Sequence, residues 1–220
     1  MKGHNYLAMS HEAEAPIVFV VDDDAQARES VVNLLSRAGL RASTFSSGRA
    51  FLDAEKPDAP ACLILDLALP DVSGLAVQEE LAAKAGPPIV FVTGESDVSS
   101  SVRAMKAGAV EFLPKPFDAA ELMRAVETAI DRDRSARQAR TELAALRVHY
   151  QRLTPREREV LPFVVAGYAN KETAADLGTS EVTIGVHRSQ IMRKMEARSL
   201  AELIRMSDKL GIRPRDLPAR

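Results

Sequence analysis

Three consecutive acids, Asp22-Asp23-Asp24, together with Asp66, Thr93 and Lys115, are the residues of this chain whose types and settings suit joint chemistry. Each lies at the end of an apolar run. Ile17–Val21 leads into the acid triplet, Cys62-Leu63-Ile64-Leu65 delivers Asp66, Ile89–Val92 ends at Thr93, and Val110–Leu113 precedes Lys115-Pro116. A strand that carries one carboxylate to its mouth and then turns, here through Leu67-Ala68-Leu69-Pro70-Asp71-Val72-Ser73-Gly74, presents that carboxylate to a ligand. Clustered carboxylates repel one another unless a hard cation sits between them, and Mg²⁺ is held by one or two carboxylates with substrate oxygens and water. A carboxylate is also a nucleophile toward phosphorus. The transferred group spreads charge over its oxygens, which positioned cations and donors stabilise. With Lys115 as the charge and Thr93 as the hydroxyl, the set reads as a phosphoryl-accepting site that uses magnesium or manganese.

The elements that must position these residues follow from periodicity. Apolar runs of strand length alternate with amphipathic segments: Ile17–Val21 then Gln26–Ala38, Ala42–Phe45 then Gly48–Ala54, Leu63–Leu65 then Leu75–Lys84, Ile89–Val92 then Val98–Ala107, and Val110–Leu113 then Ala119–Ile130. Strands flanked by helical patterns imply a parallel, doubly wound α/β sheet of five strands, covered on both faces because each crossover helix buries its apolar stripe there. Ligands of such sheets bind beyond the carboxyl ends of the strands, where all the residues above fall. Taken singly, each has a plainer role: Asp24 as a helix N-cap, Asp71–Gly74 as a turn, Thr93-Gly94 as a loop start, Lys115 as a solvated lysine. Their common register argues for the joint reading.

Composition bounds the rest. A chain of 220 residues, 46% hydrophobic and 27% charged, has the length of one or two core-forming domains. Its net charge of −2 conceals an asymmetry: residues 1–130 carry 11 Lys/Arg against 19 Asp/Glu, residues 131–220 carry 18 against 12. A basic C-terminal half suits binding to a phosphate backbone, although a solvated mixed-charge surface has the same composition. The lone Cys62 excludes an internal disulfide and suits a cytosolic compartment. No apolar run approaches the roughly 20 residues a spanning helix needs, and residues 1–15, which lack the apolar centre of a secretory signal, are expected to form a disordered leader.

On these residues, and on Val102-Arg103-Ala104-Met105-Lys106-Ala107-Gly108-Ala109-Val110-Glu111-Phe112-Leu113-Pro114-Lys115-Pro116-Phe117, residues 16–130 resemble a response-regulator receiver domain of the FixJ branch, with a flavodoxin-like fold. The resemblance implies that Asp66 accepts a phosphoryl group from a phosphohistidine on a sensor kinase. It further implies that Asp22, Asp23, Asp66 and the backbone carbonyl of Ala68 hold the metal, and that Thr93 and Lys115 contact the phosphoryl oxygens. Phe112 would be the rotameric switch, and the Lys115–Pro116 bond would be cis. Leu69 departs from the methionine common before the proline, a change of packing and not of charge. Modification would add up to about two negative charges and bias a two-state face, Val98–Ala107 with Val110–Leu113 and the following helix, toward a dimer contact.

Residues 131–151 lack Gly and Pro and are rich in helix formers, so they are expected to prolong the preceding helix as a linker. Leu143, Leu146, Tyr150 and Leu153 recur at helical spacing and suit pairing with a second copy, though four positions do not make a coiled coil. At Thr154 a capping box with Glu157, and Pro155 at the first helical position, open a second, all-α domain over 152–220. Helices are expected from Pro155 to Ala166, from Lys171 to Leu177 with Asn170 as cap, from the Ser180 cap to Met195, and from Ser199 to Leu210. Tight glycine turns at Gly167 and Gly178 make this a helix-turn-helix unit.

Leu153–Leu161 and Thr183–Met195 resemble the LuxR-type DNA-binding domain of FixJ/NarL regulators. That resemblance puts Thr183, Val186, Arg188, Ser189 and Lys194 on the groove- or phosphate-facing side and Lys171 against backbone phosphate. Val182, Ile184, Ile191 and Met195 read as a core stripe, His187 as a packed histidine, and the last helix as a dimer contact. Gly185 removes a side chain where relatives often carry Lys or Glu, and Pro162 breaks a main-chain bond to Arg158 and is expected to kink or tighten its helix. The whole reads as a non-enzymatic cytoplasmic regulator that is phosphorylated at Asp66, dimerises, binds promoter DNA and works with RNA polymerase, by activation in FixJ relatives. Two alternatives are an aspartate-nucleophile phosphatase, which leaves the helix-turn-helix without purpose, and a receiver-like DNA-binding protein that acts without phosphorylation.

Overall fold

The computed structural model describes residues 15–94 and 98–215, which fall into two compact units, one ending at Arg137 and the other running from Gln138. The expected leader lies outside the described residues. The first unit alternates β1 (Ile17–Val21), α1 (Ala25–Arg37), β2 (Arg41–Phe45), α2 (Gly48–Asp53), β3 (Ala61–Leu65), α3 (Gly74–Ala83), β4 (Ile89–Thr93), α4 (Val98–Lys106) and β5 (Glu111–Pro114). The boundary between the units falls within α5 (Ala119–Gln151), so the expected terminal helix and linker helix are one helix.

The five strands are all parallel in the order β2-β1-β3-β4-β5. Successive side chains of a strand point to opposite faces, and the core divides accordingly. Val18, Val20, Cys62, Ile64, Val90, Val92 and Leu113 meet Val31 and Leu35 of α1 and Leu122, Val126 and Ala129 of α5. Phe19, Val21, Leu63, Leu65, Ile89 and Phe91 meet Phe51 of α2, Val77 and Leu81 of α3 and Ala104 of α4. Covering on both faces is why β1, β3 and β4 are continuous apolar runs and why each is buried along its whole length. Cys62 is fully enclosed, and burial raises its thiol pKa, with the nearby Asp133 adding to the effect.

Two details fix the ends of this sheet. Asp133 of α5 is buried and accepts the N–H of Ala61 at 2.8 Å and Arg137 Nε at 2.7 Å, which satisfies the opening amide of β3; Arg137 also pairs with Asp58. At the other end, β1 and β3 are neighbours although β2 separates them in sequence. The strand order therefore reverses between them, and this is where a doubly wound sheet opens its ligand crevice.

The second unit holds the end of α5 and then α6 (Pro155–Val165), α7 (Asn170–Leu177), α8 (Glu181–Lys194) and α9 (Leu200–Lys209). The capping box at Thr154 is present: its hydroxyl accepts Glu157 N–H at 3.2 Å while the Glu157 carboxylate accepts Thr154 N–H at 2.8 Å. Ser180 and Ser199 cap α8 and α9 with the forward bond alone, accepting the N–H groups of Thr183 and Glu202. Gly167 and Gly178 take φ of 84° and 63°, conformations that cost glycine nothing. The cap of α7 is Ala169, not Asn170; Ala169 offers no side-chain acceptor, and only the return bond from Ala169 N–H to Glu172 is made, at 2.8 Å. The helix α6 runs on through Pro162, whose carbonyl accepts both Ala166 and Arg215 N–H at 3.1 Å. Of the stripe expected on the linker, Leu146 and Leu153 are buried and Tyr150 packs on the core of this unit, so the structure uses it internally.

Candidate functional site

The loop after β1 and the loop after β3 bring their acids together. Asp22 and Asp66 are buried, at 3% and 6% exposure, while Asp23 is exposed beside them. One oxygen from each of Asp22, Asp23 and Asp66 lies within 4.8 Å of the others. The register Val21↔Leu65 makes this unavoidable, because the residues that follow a paired position on adjacent parallel strands emerge side by side. From the far side, Lys115 Nζ reaches Asp22 Oδ2 at 2.6 Å and Asp66 Oδ2 at 3.1 Å. Burial alone would push the Lys115 pKa down; its bonds to Asp22 and Asp66 outweigh this and hold it above the ordinary lysine value.

The second oxygen of each buried acid is also bonded. Asp22 Oδ1 accepts Asp24 N–H at 2.9 Å, and Asp66 Oδ1 accepts Ala68 N–H at 3.3 Å. Thr93 is the last residue of β4 and fully buried, and its carbonyl accepts the Lys115 N–H at 2.8 Å. The Lys115–Pro116 bond is cis. Phe112 on β5 is half-buried with its ring centroid 6.1 Å from that of Phe91. Asp24 caps α1, accepting Gln26 and Ala27 N–H. The donor set, three carboxylates with one lysine between two of them, fits a hard divalent cation, which Asp22, Asp23 and Asp66 would hold.

In the second unit, α8 packs Ile184, Ile191 and Met195 inward, all fully buried. Val182 was expected on that stripe but is 79% exposed: two residues of helix turn through about 200°, so 182 and 184 cannot share a face. The outward side instead carries Val182, Thr183, Val186 and Ser189, with Val186 55% exposed. Lys171 is exposed at the start of α7. Four of the expected contact residues have side-chain partners within the protein: Arg188 donates to the Tyr168 carbonyl at 2.9 Å, Lys194 pairs with the buried Glu157 at 2.7 Å, Ser189 Oγ donates to the Gly185 carbonyl at 3.1 Å, and the Thr183 hydroxyl shares a hydrogen bond with that of Ser180 at 2.8 Å. His187 is half-buried.

Residues 18–127 match the family model described as response regulator receiver domain, and residues 151–207 match that of bacterial regulatory proteins, luxR family. This chain belongs to the response regulators. It is 48% identical over 197 residues to Nodulation protein W of Bradyrhizobium diazoefficiens, covering 89% of this chain and 87% of that one. To the transcriptional regulatory protein FixJ of Azorhizobium caulinodans it is 44% identical over 202 residues, 90% of this chain and 95% of the other. Among solved structures, the response regulator StyR matches with a TM-score of 0.78 at 44% identity, over 89% of this chain and 99% of that one. The regulator thus joins a receiver domain to a LuxR-type DNA-binding domain, the architecture of a phosphorylation-dependent transcription regulator.

Three residues that support the receiver site carried no signal of their own type. Arg28 Nη1 donates to the Asp22 carbonyl at 2.6 Å. Asp71 accepts the N–H groups of Arg49 at 2.8 Å and Gly48 at 3.2 Å, which ties the loop after Asp66 to the start of α2 and holds the Asp71 carboxyl below its usual pKa. Gly74 opens α3 directly against the Asp66 backbone. In the regulator's sequence Asp71 and Gly74 read only as a turn, and Arg28 left its trace as a cation in the first turn of a helix, where the macrodipole disfavours one. Among the described residues no helix is long and apolar enough to cross a membrane.

Proposed function

We propose that Asp66 is the phosphoryl acceptor of a two-component pathway and that its modification drives DNA binding by the LuxR-type domain. An Asp66 carboxylate oxygen attacks the phosphorus of a phosphohistidine on a sensor histidine kinase. The P–N bond breaks, a P–O bond forms, and the imidazole leaves. Asp22, Asp23, Asp66 and the Ala68 carbonyl would hold Mg²⁺ or Mn²⁺, which supplies charge neutralisation for the phosphoryl oxygens. Lys115 is already poised between the two buried acids to meet a phosphoryl oxygen, and Thr93 stands at the adjoining strand end to donate its hydroxyl. As Thr93 turns toward the phosphoryl group, Phe112 moves into the space beside it and remodels the face of α4 and β5. The regulator then acts in the cytoplasm as a homodimer on promoter DNA, its two recognition helices reading half-sites about 34–36 Å apart, and it activates transcription with RNA polymerase. Lys171, Thr183, Val186, Arg188, Ser189 and Lys194 are the DNA-facing set, with Arg188 and Lys194 exchanging or sharing their internal partners.

The observation that carries this reading is the 3.1 Å approach of Lys115 to Asp66, with the oxygens of Asp22 and Asp23 alongside. Footprinting on promoter DNA with and without a small phosphodonor plus Mg²⁺ tests it. Wild-type protection shifts to lower protein concentration on phosphorylation, by roughly 5- to 150-fold, the usual span for coupled sites, and Asp66→Asn shows no shift. Equal protection with and without the donor removes phosphorylation from the mechanism.

A further inference from the structure

We propose that Arg28 is a positioning residue for the acidic pocket, holding the Asp22–Asp23 peptide so that both carboxylates face the space a divalent cation would occupy. The inference rests on the reading of that pocket given above. It begins with the Asp22 carbonyl, which Arg28 Nη1 meets at 2.6 Å from the first turn of α1. A hydrogen bond from a charged donor is short and about twice as strong as a neutral one. On the other side of the residue, Asp22 N–H donates to the Phe45 carbonyl of β2 at 3.3 Å. The side-chain oxygens are held by Asp24 N–H and by Lys115. Every polar group of Asp22 therefore has a fixed partner, and Arg28 provides the one that acts on its carbonyl.

That carbonyl belongs to the same planar unit as the Asp23 nitrogen. Holding its oxygen fixes the plane from which the Asp23 Cα departs, and Asp23 is the exposed member of the trio with an oxygen within 4.8 Å of the other two. Arg28 thus orients one acid that is buried and one that is not. Its place in the helix is otherwise unfavourable, because a cation in the first turn opposes the helix dipole; the half-buried guanidinium stays there by reaching back to the loop.

Two physical effects of Arg28 on a bound cation have opposite sign. Repulsion between guanidinium and metal would make removal of the arginine tighten Mg²⁺ binding, whereas loss of a fixed loop would weaken it. The experiment measures Mg²⁺ affinity by titration calorimetry on the full chain for wild type, Arg28→Gln, Arg28→Met and Arg28→Lys, with thermal unfolding in the presence and absence of Mg²⁺. Gln is too short to reach the carbonyl and Met has no donor; either one that folds decides the matter. Mg²⁺ binding is expected to weaken roughly 10-fold in both, as for other partners that orient metal ligands, and Arg28→Lys to recover most of it. The Mg²⁺-dependent rise in melting temperature shrinks in parallel, while the metal-free melting temperature changes little. Unchanged or tighter Mg²⁺ binding, or a loss confined to metal-free stability, overturns the proposal. Failure of the wild type itself to bind Mg²⁺ overturns the reading of the pocket as well.

Discussion

Gly74 illustrates how tightly single atoms constrain the site. A Cβ placed there would lie 2.5 Å from the Asp66 carbonyl oxygen and 3.0 Å from both the Leu67 Cα and the Phe91 ring. Two of these neighbours are backbone and cannot swing aside, so Gly74→Ala must displace the loop that carries Asp66. Overpacking of this kind costs about 1–3 kcal/mol. We expect a lower melting temperature in thermal unfolding together with a loss of phosphoryl acceptance, measured by mass spectrometry after incubation with a phosphodonor. An alanine variant of unchanged acceptance would show that the loop yields without moving Asp66. Asp22, Asp66, Thr93 and Lys115 were legible as strand-end polar groups because each follows an apolar run, and the structure brings Asp22, Asp66 and Lys115 together there. Gly74, Arg28 and Asp71 were not, because they act on main-chain atoms of residues distant in sequence, and nothing in a residue's type announces which carbonyl or amide it will meet.

Helix α8 joins the fold through Lys194 and Glu157. Desolvation pushes the buried Glu157 carboxyl up, but the bonds from Lys194 and Thr154 prevail and leave its pKa below the ordinary glutamate value. A carboxyl whose folded pKa is depressed stabilises the fold above its unfolded pKa, about 4.3, and that stability fades as pH falls through the lower folded value. Melting temperatures followed by helical circular dichroism should therefore put wild type above Glu157→Gln near neutral pH, with the gap closing as pH falls below about 4.3. Equal melting temperatures at neutral pH would show that the pair contributes nothing. The caps at Thr154, Ser180 and Ser199 were readable because a hydroxyl before a helix has one main use. Val182 was misplaced because apolar type outweighed the helical period, and the α7 cap because Asn170 looked the better capper although Ala169 holds the position. Gly185 is not demanded by space: its added Cβ would meet only Asn170 Nδ2, at an ordinary 3.5 Å.

The acidic and basic halves of the chain correspond to different units, one carrying the carboxylate cluster of Asp22, Asp23 and Asp66, the other the LuxR-type domain. Lys171 is exposed at the start of α7; in the phosphate-facing role proposed for it, Lys171→Ala should weaken binding almost equally for specific and random duplexes and lower the salt slope of log K by about one. Fluorescence anisotropy at several salt concentrations measures this; a change confined to the specific duplex would make Lys171 a base reader. The order of elements in both units was legible because strand-length and helix-length periods alternate so regularly. The first compact unit itself runs on to Arg137, because Asp133 and Arg137 bind the helix to β3 and Asp58 through polar contacts that leave no hydrophobic pattern.

The sealed position of Cys62 has a practical corollary. A thiol that is fully covered and disfavoured as thiolate is a poor nucleophile, so thiol-directed alkylating reagents find no reactive native cysteine on the folded chain. Reporter dyes attached to cysteines introduced on α4 or α8 would consequently report from those helices against a silent background.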